Sequence, residues 1–518
     1  MAISAQRERY DVRMGSIARV TTLTALGVMV ALTAVAPLSC GTDGTDGTQT
    51  LAADATAESA AEPSPGDAAS TPPSSDSGLD EPTKPDATVP LAIAKGDPCR
   101  GLALPLERHF VTAGMCARAV ATGVTHVRQL TFAPNGDLFA ARENGAIVLF
   151  RDANGDGVFD ASEIHDWAST DGASSTTQSG NNVHIADGFL YAGGPDGVKR
   201  WPYVPGALSG GVGEDVVVGQ PLGGHPKRTV HAYDGSLYVM SGSYGNADAP
   251  AGVVYDTNRS VLHRFNLAAF VSGTPFTWSS GDVVTVGLRN MVGFTRNAAG
   301  RLWGVVNGID GASYDGSDVQ QDNPGEQVVE LGPGRQYGFP FCFTAQKVMR
   351  SSGLVVPGTQ VAFDQVALHD DAWCAANSVK PATFVQAHSA PLDILFFEKQ
   401  PTGVLPERFR GGAFLSFHGS SYRTSPTGYK IVWIPFDASG LPSMPKLNAS
   451  GDLDFPYETV FGAGSTLGPV DANWSWDVNG TGDTPRPVGI AISPIDGALY
   501  VSSDTNVVYR IGLIGSGQ

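Results

Sequence analysis

The chain has 518 residues, of which 42% are hydrophobic, 16% charged and 9% aromatic. That apolar content supports a packed core and excludes a wholly disordered chain. A formal charge of -18 leaves no basic face for a phosphate backbone, so nucleic acid is excluded as a partner. With 64 glycines and 35 prolines, a turn-rich β architecture is favoured over a helical bundle.

Residues 1–40 read as an export signal. Arg7, Arg9, Arg13 and Arg19 precede an apolar run from Val20 to Ala36, short for a membrane span of about 20 residues. Ala34-Val35-Ala36 fits an ordinary cleavage site. Pro37-Leu38-Ser39-Cys40 resembles a bacterial lipoprotein signal, in which Cys40 carries the lipid. The expectation is export to the periplasm or cell surface of a bacterium, with a lipid anchor at Cys40 as the sole membrane attachment. Setting Cys40 aside leaves four cysteines; of three possible connectivities, proximity favours Cys99–Cys116 and Cys342–Cys374. Residues 41–95 are rich in Gly, Thr, Ser, Pro and Asp and contain no aromatic residue. Such a segment is expected to be a disordered linker. Residues 96–518 are the expected folded domain.

A strand–turn–strand pattern recurs from Leu130, Val183, Val230, Val292 and Ile490, with a looser copy from Leu392 whose partner strand is delayed to Ala413. Each copy alternates apolar residues at period two around Asn-Gly, Asp-Gly or a similar turn, a strong hairpin signal. Anchors 47 to 100 residues apart suit four-stranded blades, two of them carrying long insertions. A single blade cannot bury both of its faces, whereas a closed ring of blades does. The expected fold is an all-β six-bladed β-propeller.

Residues just before each innermost strand then converge on one mouth of the central channel. These are Arg128, Asn181-Asn182, His225 with Arg228, Arg289-Asn290, His388 and Arg486. Loops after the second strands open on the same face and carry Asn307–Asp310, His418–Arg423 and Asp504. A ring of guanidinium and imidazole groups in an acidic chain suits a multiply anionic ligand, because arginine offers carboxylates a planar fork. Separately, residues 152–163 match a twelve-residue calcium loop, with Asp152, Asn154, Asp156, the Val158 carbonyl and Glu163 as ligands. A structural calcium clip is expected there. The chain contains no G-x-S-x-G, H-E-x-x-H, P-loop or C-x-x-C-H motif.

Gly287-Leu288-Arg289-Asn290, then LWGVVNGID and NPGEQVVELGPGRQYGFPFC, resemble the glucose/sorbosone dehydrogenases, propeller enzymes that use pyrroloquinoline quinone (PQQ). GGHPKRTV, HSAPLDILF, RFRGGAFLSFHGSSYR, GYKIVWIPFD and RPVGIAISP follow the same order. The resemblance is strongest to the sorbosone and pyranose dehydrogenase branch, since Gly224 precedes His225. It implies a sugar substrate, PQQ and Ca²⁺, and an external electron acceptor such as a cytochrome or quinone. It implies that His225 is the general base and that Arg289 stabilises charge on the quinone oxygen. Arg128, Arg228, Asn290, Arg423 and Arg486 would contact the cofactor, and the carbonyls of Gly308 and Ile309 would bind its calcium. The competing expectation is an inactive surface propeller that binds glycan or protein. A lactonase is disfavoured, because it needs a central carboxylate cluster where this ring is rich in arginine and histidine.

Overall fold

The computed structural model describes residues 99, 101–104, 108–170, 182–225, 228–248, 256–399, 404–420, 422–424, 426–465, 468–469 and 484–514. The signal, Cys40 and the linker lie outside these residues. The described chain is a six-bladed β-propeller. Blade 1 comprises 127–132, 138–142, 146–150 and 164–169; blade 2 comprises 183–186, 189–193, 198–202 and 214–218. Blade 3 comprises 230–233, 236–241, 261–266 and 282–286; blade 4 comprises 290–296, 302–307, 326–331 and 383–385. Blade 5 comprises 391–396, 413–417, 430–434 and 458–465. Blade 6 takes 487–492, 499–503 and 507–513 from the C-terminal end and its outer strand, 115–122, from the N-terminal end.

That closure zips the ring shut across nearly 400 residues of chain, a pairing no local pattern announces. The Cys99–Cys116 disulfide ties the segment before it to the closing strand, and strand 109–111 covers the outer edge of blade 5. The Cys342–Cys374 disulfide clasps the blade 4 insertion to a short helix, Asp371–Asn377.

The hairpins form as their turns dictate. Asp187-Gly188 and Asp234-Gly235 both have positive φ at the two central residues (51° and 79°, 48° and 69°), the tight turn whose twist matches paired strands. Second strands are apolar on both faces because each blade is sandwiched between neighbours. Leu138 packs with Tyr500 and Val508 of blade 6, and Phe139 next to it packs with Trp167 and Leu190 toward blade 2.

Inner strands of blades 1, 4, 5 and 6 slip register near their starts, between Val127 and Leu130, Asn290 and Gly293, Pro391 and Asp393, and Pro487 and Ile490. A bulge there bends the strand and re-aims its side chains. It lets Val292, Leu392 and Val488 meet as a small apolar cluster at the centre, where Gln129 Nε2 also donates to the Leu392 carbonyl (3.1 Å). The polar residues above this cluster line the face where the site forms.

Candidate functional site

Two clusters occupy that face. The first joins blades 1, 5 and 6. Arg128 donates from Nη1 to both oxygens of Asp504 (3.0 and 2.9 Å), and His418 Nε2 meets Asp504 Oδ2 at 2.6 Å. Arg486 Nη2 reaches His418 Nδ1 at 3.1 Å. A carboxylate only accepts and a guanidinium only donates, so His418 is held neutral, with its proton on Nε2. Burial and then the Arg486 cation push its pKa down to about 4. Burial alone would raise the Asp504 carboxyl, but Arg128, His418 and Arg486 outweigh it and hold Asp504 far below the carboxylate range.

The second cluster joins blades 3 and 4 and contains both residues expected to do chemistry. His225 is buried; its Nδ1 lies 2.7 Å from Ser243 Oγ, and its backbone N–H donates to the Ser243 carbonyl (2.8 Å). The Ser243 N–H in turn donates to the Arg289 carbonyl (2.8 Å), so both residues are tied to one loop. The Arg289 side chain donates to Asn246 Oδ1 (2.9 Å) and the Asn246 carbonyl (3.3 Å), and pairs with Asp310 Oδ2 at 3.3 Å. Asn246 Oδ1 also accepts the Asp310 N–H (2.8 Å), while Asp248 secures the loop by accepting the N–H groups of Tyr244 and Gly245 (2.7 and 2.5 Å).

The other expected residues extend this network. Asn290 Nδ2 donates to Asn307 Oδ1 (3.1 Å), and Asn307 Nδ2 to the Pro391 carbonyl (2.9 Å). His388 lies between Asp310 (3.6 Å) and the Gln320 carbonyl (2.7 Å). Arg423 pairs with Asp322 (3.1 Å) and donates to the Gln321 carbonyl (2.6 Å). The Gly308 N–H donates to Glu326 Oε2 (2.6 Å), and Pro324 packs so closely that a Cβ on Gly308 would fall 2.2 Å from its Cγ. Burial pushes Glu326 up to about 7, partly opposed by His388.

Arg228 differs from the other cations. It is fully buried, and its Nη2 donates to the Pro221 carbonyl. Its Nε and Nη1 have no hydrogen-bond partner among the described residues. Burial, with the nearby Arg259 cation and against the pull of Asp196, lowers its pKa to about 10.

Asn181 lies outside the described residues, and Asn182 faces the neighbouring inner strand, accepting the Val230 N–H (3.0 Å). In the 152–163 loop, Asp152 accepts N–H groups of Gly155, Asp156 and Gly157 (2.7, 3.1 and 2.9 Å). Glu163 folds back to accept from Ala153, Asn154 and Asp160 (2.8, 3.2 and 3.2 Å). Asn154 Oδ1 accepts the Asp156 N–H, and Asp156 Oδ1 the Val158 N–H (both 2.8 Å). Among the described residues, no three His, Cys, Asp or Glu side chains are grouped to hold a metal ion. This loop stands apart from both clusters on the mouth.

Ser243, Asn246 and Asp248 were not anticipated from sequence. A signal existed: they follow the second strand of blade 3, the phase at which blades 4, 5 and 6 present Asn307–Asp310, His418–Arg423 and Asp504.

Comparison with known proteins is consistent with this architecture. The TrAA12-like family matches residues 109–511. A pyrroloquinoline quinone-dependent pyranose dehydrogenase of Coprinopsis cinerea is 29% identical over 427 residues, covering 79% of this chain and 55% of that one. This chain therefore spans about half the length of that relative. A pyrroloquinoline quinone-dependent sugar dehydrogenase of Hypocrea jecorina is 27% identical over 415 residues, covering 75% of this chain and 85% of that one. The holo form of the pyranose dehydrogenase PQQ domain from Coprinopsis cinerea aligns with TM-score 0.64 and 27% identity over 80% of this chain and 99% of that one. A calcium structure of a Trichoderma reesei family AA12 carbohydrate-active enzyme aligns with TM-score 0.64 and 25% identity, covering 79% and 98%.

Proposed function

The chain belongs to the TrAA12-like family, and on that premise we propose that it is an exported quinoprotein that oxidises a sugar, a pyranose or related aldose, with PQQ as cofactor. The observation that carries this reading is Arg228, three residues after His225, a buried guanidinium with two nitrogens that have no hydrogen-bond partner among the described residues. A buried cation with so few hydrogen-bond partners is costly, and an anionic ligand offsets that cost. PQQ carries three carboxylates, so the donor set fits it. Arg228 would hold one, and Arg128, Arg423 and Arg486 line the same face for the others, with Asn290 as a neutral contact.

PQQ, when bound, supplies a carbonyl carbon that accepts a hydride. His225 acts as general base toward the hydroxyl on the carbon being oxidised, the anomeric one in an aldose. Arg289, held by Asn246 and Asp310, directs positive charge at the oxygen where negative charge grows. Calcium is proposed at the carbonyls of Gly308 and Ile309, and a second, structural ion at the 152–163 loop. An external acceptor such as a cytochrome or quinone would take the electrons, and the protein would reside at a bacterial cell surface or in the periplasm, anchored through Cys40.

The test is reconstitution of the protein with PQQ and calcium, followed by dye reduction across a panel of aldoses. Sugar-dependent turnover supports the reading. Failure to bind PQQ returns the protein to the class of glycan- or protein-binding propellers.

A further inference from the structure

The hydrogen-bond pattern around Ser243 fixes more than the position of its neighbour. Ser243 Oγ lies 2.8 Å from the Gly245 carbonyl and 2.7 Å from His225 Nδ1. A carbonyl oxygen can only accept, so the single hydroxyl proton of Ser243 points at Gly245. The Ser243 oxygen is left to accept, and the proton it receives is the one on His225 Nδ1. The lone pair of the imidazole therefore resides on Nε2. Both Ser243 and His225 are buried, and the Gly245 carbonyl is oriented by Asp248, which accepts the Tyr244 and Gly245 N–H groups (2.7 and 2.5 Å).

We propose that Ser243 is the positioning residue of the general base: it locks His225 as the Nδ1–H tautomer and presents Nε2 as the proton acceptor. The inference rests on the reading of His225 as base, and it adds the atom that does the work and the residue that selects it. Ser243 also sets the electrostatics. It is neutral, so it selects a tautomer without stabilising the imidazolium, as a carboxylate in its place would. The loop that carries Ser243 also holds Arg289 through Asn246, and Asp248 turns its oxygens to the loop backbone.

Two measurements on the full chain test the proposal, one of them independent of turnover. Long-range ¹H–¹⁵N correlation spectra of histidine-labelled protein, with His225 assigned through His225→Gln, should show Nδ1 protonated and Nε2 bare. Ser243→Ala should lose this single tautomer and Ser243→Thr should keep it. In the PQQ-loaded enzyme, Ser243→Ala should lower kcat roughly 10²-fold with KM little changed, and Ser243→Thr should restore most of it. Ser243→Asp places a carboxylate on Nδ1 and should move the acid limb of the pH–rate profile upward by about one unit. Wild-type His225 protonated on Nε2, an unchanged tautomer in Ser243→Ala, or an unshifted profile in Ser243→Asp each overturns the proposal. Wild-type enzyme that oxidises no sugar overturns the catalytic reading instead, and the spectra still decide whether Ser243 sets the tautomer.

Discussion

The two sides of the propeller mouth are built on opposite principles. On the side formed by blades 1, 5 and 6, cations are matched to side chains: Arg128 to Asp504, Asp504 to His418, His418 to Arg486. On the side formed by blades 3 and 4, main-chain oxygens share the cations with side chains. Arg228 donates to Pro221, Arg259 to Leu222 and Gly223 while pairing with Asp256, and Arg289 to the Asn246 carbonyl while pairing with Asp310. The first arrangement shares one carboxylate, Asp504, between its groups and clasps the blades together. The second leaves Arg228, three residues after His225, with a single main-chain hydrogen bond among the described residues and Asp196 as the carboxylate acting on it. A buried charge so thinly held marks a place where a ligand's charge can belong.

The contrast can be tested by removing one group from each side. The largest effect is expected on chemistry: His225→Ala should lower sugar-dependent dye reduction by about 10²-fold or more. Arg289→Ala should cost a similar factor. If either variant turns over normally, the reactive side has been assigned to the wrong residues.

Next in size is stability. Arg128→Met removes the guanidinium that donates to both oxygens of half-buried Asp504 and should cost about 1.5–3 kcal/mol, read as a lower urea midpoint at unchanged slope. Arg228→Met should change the midpoint less, because it removes a buried charge held by a single main-chain hydrogen bond among the described residues, yet it should weaken PQQ binding measured by equilibrium titration. Equal losses of stability in the two variants would erase the distinction between clasp and binding side.

A smaller effect concerns pH. His418 has a folded-state pKa near 4, below its unfolded value of 6.5. From pH 6.5 down to 4 the unfolded chain therefore binds a proton that the folded chain refuses, and stability falls across that window. Below it, protonation of Asp504 adds further loss. Thermal unfolding of His418→Gln should show a shallower decline between these limits than the unaltered protein does.

The smallest effect belongs to the loop at 152–163. Calcium should raise the unfolding temperature by a few degrees by mass action, and Glu163→Gln should abolish that gain. An identical temperature with chelator and with calcium would remove the proposed ion from this loop.

Much of the mouth was legible from the repeat. Arg128, Arg289, Arg486, His225 and His388 sit at one phase of the blade pattern, and a fixed phase projects to one face once the ring closes. The roles of individual cations were not legible. Arg228 reads in sequence like Arg128, yet one is buried with two nitrogens that have no hydrogen-bond partner among the described residues, and the other is clamped by Asp504 from a turn 376 residues away. Charge compensation is a property of distant neighbours, which spacing along the chain does not encode.

Local chemistry settled the blades: alternating apolar residues and Asp-Gly turns leave few conformations open to such segments, because each hairpin satisfies its own hydrogen bonds and twist. Long-range packing settled the rest, since the energies involved arise only when remote strands meet. Pairing of 115–122 with 507–513 closes the ring, the bulges at Val127 and Asn290 aim the side chains after them, and the loop of Ser243 to Asp248 sets His225 and Arg289 against each other.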